Sequence, residues 1–169
     1  MQNITSLTQD ASGNLTVRSG KTLAGSITPT PLAVDGLGGR GTARITFDCA
    51  VVGNRTVAAH ASAVTLPANA VVIGGFYEVN TAFTSAGTNT GTIAISVVGA
   101  NDIVTATAVS DAMYGTTGLK AIVPKSNTPE ATGIKCASAK AVTFTVATQA
   151  LTAGKLTLFL DYVISAATA

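Results

Sequence analysis

The chain has no tryptophan, one histidine and two cysteines in 169 residues, and only 11% of its residues are charged. Each shortage excludes something. A lone His60 cannot supply the histidine ligand sets of the common zinc sites, and no acid is patterned beside it for a nucleophile triad. Cys49 and Cys136, far apart in sequence, make no metal signature. Each reads as a small buried hydrophobe, with a disulfide between neighbouring strands as the alternative. The charged share is about half that of an ordinary soluble domain, which is the opposite of the bias that keeps chains disordered. The net charge of +2 comes from a small basic excess in residues 1–55 and makes no stripe for phosphates, so nucleic acid is not an expected partner. No apolar run approaches the ~18 residues of a membrane span. The opening MQNITSLTQD lacks the basic and apolar regions of a secretory leader, so the sequons at Asn3, Asn14 and Asn54 carry no expectation of glycans.

What is present is β-forming. Hydrophobic residues make up 47% of the chain but aromatics only 5%, so the apolar share is Ala, Val, Ile and Leu, set among Thr, Ser and 17 glycines. In ARITFDCAVV, the residues Ile45, Phe47, Cys49 and Val51 fall on one face and Arg44, Thr46 and Asp48 on the other. Further on, Tyr77, Val79, Thr81 and Phe83 alternate with Phe76, Glu78 and Asn80, while Gly74-Gly75 predicts a bulge or bend. TIAISVVG points Ile93, Ile95 and Val97 inward, and LKAIV and IKCAS read as short strands. The Ala-rich stretch over 100–118 permits a helical turn or a loop. The chain closes on a hairpin with apolar faces Val142, Phe144, Val146 and Leu156, Leu158, Leu160, Tyr162, Ile164. About eight or nine strands with turn signals every ~8–12 residues predict an all-β protein, a single β-sandwich or jelly-roll-like domain over residues 42–169.

Residues 1–41 differ, with scattered glycines, the prolines of TPTP and no sustained period. They read as an extended N-terminal arm with one short strand at Leu15–Arg18. Leu23, Ile27, Leu32 and Val34, with Arg40, are the residues expected to anchor it on a partner. The glycines of DGLGGRG invite a phosphate loop, but no Gly-Lys-Ser/Thr follows, and TARITFD is a strand. Asp102 and Asp111 flank a loop without the oxygen spacing of a calcium site and read as turn formers. No catalytic residue, metal or cofactor is expected. So few charges would protect a free monomer poorly, which favours a protein packed against copies of itself or a partner.

The segment LPANAVVIGGFYEVNTAFTSAGTNTGTIAISVVGANDIVTATAV, followed by GLKAIVP and KAVTFTVATQALTAGKLTLFLDYVIS, resembles small β-rich structural proteins of tailed-bacteriophage virions. These include capsid decoration (cement) proteins and related head-fibre proteins. The resemblance rests on about 100 residues, chiefly TAFTSAG and ALTAGKLTLFLDYV. It implies a non-enzymatic part made in the host cytoplasm and carried on the outer capsid surface. It further implies a homotrimer whose partner is the major capsid protein, without nucleic acid or membrane. The alternative is a head-fibre or tail-associated adhesin binding host glycans, for which Tyr114 in AMYGTTG is the one loop-borne tyrosine.

Overall fold

The computed structural model describes residues 7–9, 15–17, 39–122 and 133–165. The chain divides into two units, Met1–Ala33 and Val34–Ala169. In the first, β1 (Leu7–Gln9) pairs antiparallel with β2 (Leu15–Val17), Thr8 lying opposite Thr16. Only the second of these strands was expected.

The second unit is a β-sandwich. Its strands are β3 (Arg40–Asp48), β4 (Ala59–Leu66), β5 (Ala70–Ser85), β6 (Thr92–Ser96), β7 (Val104–Ala108), β8 (Gly118–Ile122), β9 (Lys140–Ala147) and β10 (Leu151–Ile164). A single helical turn, α1 (Ala112–Gly115), precedes β8. The strands form two four-stranded sheets, ordered β3-β10-β5-β8 and β4-β9-β6-β7. The pairs β3·β10, β4·β9, β5·β8 and β6·β7 nest inside one another, all antiparallel. That is one long hairpin rolled up, closed by β10·β5 and β9·β6, and it is the jelly-roll-like order.

Alternation puts the core between the sheets. Ile45 and Phe47 of β3, Tyr77 and Val79 of β5, and Leu156, Leu158 and Leu160 of β10 face Ile93 and Ile95 of β6 and Val142, Phe144 and Val146 of β9, all buried. Phe47 bridges the layers, stacking on Phe144 at 4.7 Å and on Phe83 at 6.2 Å. Each such ring contributes about 1.5–3 kcal/mol by leaving water.

The expected pattern breaks where the backbone does. β3 ends at Asp48, so Cys49 remains buried but Val51 turns outward, 55% exposed. In β5 the register against β10 slips between Val79 and Thr81, which leaves Thr81 outside while Phe83 returns to the core. A second slip falls at Ile73, beside the two glycines that predicted it. A Cβ on Gly75 would run into the carbonyl of Phe159. IKCAS contributes only an isolated bridge from Lys135 to Val71, whereas VTATA, not expected to be a strand, is β7.

Candidate interaction surfaces

Asp48, His60, Asp102 and Asp111 each make local structural contacts. Asp102 is 3% exposed, and its carboxylate accepts the backbone N–H groups of Val97, Val98 and Gly99 at 2.8, 2.9 and 2.8 Å. Both oxygens are used, so the side chain staples the β6–β7 turn. Asp111 caps α1, accepting from the Met113 N–H at 2.8 Å. Asp48 accepts from the Ala50 N–H and pairs with Lys155 at 3.0 Å, and these two contacts, the backbone one first, hold its carboxyl below the usual value. No cluster of three or more His, Cys, Asp or Glu able to hold a metal occurs among the described residues.

His60 lies on β4, its Nε2 at 2.9 Å from the Thr56 carbonyl and its ring 5.9 Å from Phe47, in a structural role. Cys49 and Cys136 are both buried free thiols, and burial pushes Cys49 up to about 11 and raises Cys136 as well. No helix among the described residues is long and apolar enough to cross a membrane.

Tyr114 is not the loop-borne tyrosine its sequence context predicted. The Asp111 cap turns α1 so that Tyr114 points into the core, fully buried, 5.7 Å from the Tyr77 ring and edge-on to Phe83. Of the arm residues expected to touch a partner, Leu23, Ile27, Leu32 and Val34 lie outside the described residues. Arg40 opens β3, exposed, opposite Val163.

What remains are surfaces. At one end, the β3–β4 connection over 49–58 is tied down by several bonds: Arg55 Nε donates to the Cys49 carbonyl at 2.7 Å, Asn54 Nδ2 to the Asp48 carbonyl at 3.0 Å, and the Leu151 N–H to the Arg55 carbonyl at 2.9 Å. This ordered loop holds Val52 wholly exposed, with Val51 and Val57 more than half exposed. On the outer face of the β3-β10-β5-β8 sheet, the exposed Phe76 and half-buried Phe159 stack at 4.7 Å, with Ile73 and Leu119 also exposed. Sequence reading passed over this pair. Its only trace was an aromatic in the polar phase of each strand, and pairing them needed the β5–β10 register.

No known protein family and no curated protein matches the sequence. Solved structures do match the fold. A chain of the cyanophage Pam1 capsid asymmetric unit superposes with a TM-score of 0.55 at 21% identity, over 85% of this chain and 100% of that one. A chain of the acid-stable capsid of Helicobacter pylori bacteriophage KHP30 gives 0.52 at 14% identity, covering 77% and 91%. One from the capsid of Ralstonia phage GP4 gives 0.51 at 17%, covering 79% and 89%. This β-sandwich is a fold that phage capsids contain.

Proposed function

We propose that the protein is a non-enzymatic structural part of a phage virion, and specifically a decoration protein that binds the outer surface of an assembled head and stabilises it. The observation that carries this reading is the shared fold with chains of three phage capsids, each covered over most of its own length. The polar side chains support it: Asp48, Asp102 and Asp111 are spent on turns and caps, and exposed apolar groups stand on ordered backbone instead. Contact surfaces, not a reaction centre, are what such a molecule offers.

The mechanism is mass action. A protein that binds the finished shell better than its loose subunits shifts the equilibrium towards the shell. Single contacts of a few kcal/mol suffice when a rigid assembly engages several sites at once, because each further contact forms at a high effective concentration. A homotrimer is the assembly this reading favours, with the major capsid protein as partner. Leu23, Ile27, Leu32 and Val34 of the arm, with Arg40 at the start of β3, are the residues proposed to dock on it. The alternative, a glycan-binding head-fibre or tail module, loses its one sequence candidate because Tyr114 is enclosed.

The test is the copy number of this chain per purified particle, relative to the major capsid protein, by quantitative mass spectrometry. A ratio of order one is expected. A few to some tens of copies would relocate the protein to a vertex, fibre or tail, and absence from the particle would overturn the virion reading. Heads with and without the protein should also differ in the temperature at which they release DNA.

A further inference from the structure

We infer that the outer face of the β3-β10-β5-β8 sheet is a contact with a second copy of this chain, the two sheets crossing near-orthogonally about the Phe76–Phe159 pair. The register builds the face. Arg44 of β3 lies opposite Phe159 of β10, Phe159 opposite Phe76 of β5, and Phe76 opposite Ala121 of β8. One row along, Thr46, Thr157, Glu78 and Leu119 line up in the same order. The centre is therefore apolar: Phe76 is 41% exposed, Ile73 43% and Leu119 70%. A stacked aromatic pair on an outer sheet face, Phe76 exposed and Phe159 half-buried, is the kind of group that carries binding energy once water is excluded.

The charges identify the occupant. Arg44 and Glu78 are exposed, and neither forms an ion pair among the described residues, where the ion pair present is Lys155–Asp48. With strands ~4.8 Å apart and ~3.4 Å per residue, the Cα atoms of Arg44 and Glu78 sit about 12 Å from each other, and the two side chains do not pair within the chain. Each is nonetheless about 7 Å from the midpoint of the two rings, in directions roughly 110° apart. A two-fold axis lying in the face and bisecting those directions carries Arg44 onto the position of Glu78. A second copy so placed puts Arg44 over the partner subunit's Glu78 and repeats the pairing in reverse. The strands then cross at about 70°, within the orthogonal class of sheet packing.

The face is thus complementary to itself, as a two-fold contact requires. Asp161 keeps its charge while accepting from the Thr42 hydroxyl at 2.6 Å, and the same axis lays it over the partner subunit's Ala121, away from both charge pairs. The paired block spans about 500 Å² in projection, below the ~800 Å² per partner of a standard interface, so the contact is a weak, concentration-dependent one. A three-fold ring joins two different patches at each contact. This face would therefore link copies in addition to any trimer, and it stands whether or not the protein decorates a head.

The experiment is sedimentation velocity on the full chain, comparing wild type with Arg44→Glu, Glu78→Arg and the double reversal. Wild type should show a concentration-dependent two-fold association. Each single reversal should weaken it at least ~tenfold, because both symmetric pairs become repulsive, and the double reversal should restore it to near the wild-type constant. Circular dichroism checks that these exposed substitutions leave the fold intact. The proposal is overturned if wild type stays monomeric at the highest attainable concentration. It is equally overturned if single reversals leave association unchanged or the double reversal fails to restore it.

Discussion

Replacing Asp102 by alanine removes the acceptor of three backbone N–H groups in one step. Of the three, the Val97 N–H is in a buried setting, while those of Val98 and Gly99 lie at a partly exposed turn. Hydrogen bonds to an ionised acceptor are worth about 1.5–3 kcal/mol each, but water can take over the two outer donors after the substitution. The net loss is therefore about 3–5 kcal/mol, dominated by the stranded Val97 donor and the void left behind. Asparagine is a sharper probe. Its amide retains one acceptor oxygen but turns an NH₂ towards either the Val97 N–H or the Val98 and Gly99 N–H groups, setting donor against donor. The Asn variant should lose about 2–3 kcal/mol despite its nearly identical shape. Urea unfolding followed by circular dichroism measures both, with an unchanged m-value expected. An Asp102→Ala loss below ~0.5 kcal/mol, within the range of ordinary surface changes, would refute the assignment of Asp102 as the staple of this turn.

Gly75→Ala should destabilise the body by ~3 kcal/mol or more, since the added carbon meets the Phe159 carbonyl at a backbone φ of 156°; thermal unfolding checks it. Tyr77→Phe and Tyr114→Phe should behave differently in the same assay. The Tyr77 hydroxyl donates to the Met113 carbonyl at 3.1 Å and its loss should cost about 1 kcal/mol, whereas the buried Tyr114 hydroxyl has no partner among the described residues and its removal should be neutral or stabilising. The Cys49 thiol is raised from 9.0 to about 11 by burial, so the unfolded chain gives up this proton first as pH rises. Its contribution to stability is complete below about pH 9 and is lost between pH 9 and 11, which unfolding curves across that range would reveal as a falling midpoint. Both thiols should be nearly inert to a thiol reagent in the native protein at pH 8 and should react fully in urea.

Strict alternation made the closing hairpin legible. Val142, Phe144 and Val146, and then Leu156, Leu158 and Leu160, are fully or almost fully buried, with threonines between them except at Phe159. Where a strand carries a single large apolar residue, as Val104 in VTATA, no periodic signal can form, and β7 is held by its pairing with β6 instead. Thr81 was misplaced because a bulge shifts the phase by one residue, which alternation cannot show in advance. Tyr114 was misplaced for a different reason. Its neighbours are small and loop-like, but one capping carboxylate at Asp111 curls the chain and turns the ring inward. Residue counts gave the expectation that no catalytic pattern is present, whereas the Phe76–Phe159 pair is created by strand register and could not be read from either strand alone.

The Asp102 turn and the proposed self-contact lie on different sheets, and the variants should separate them. Asp102 acts in the turn between β6 and β7, in the sheet that does not contain β3, β5, β8 or β10. Its alanine variant, held well below its unfolding midpoint, should therefore self-associate like wild type while unfolding in less urea. Arg44→Glu should do the reverse, because Arg44 is exposed on β3 and makes no ion pair among the described residues that its loss would break. Sites on separate elements with no shared partner are expected to act independently to within about 0.5 kcal/mol. If Asp102→Ala also abolished self-association in the fully folded protein, the sheet face could not be the self-contained contact its register describes.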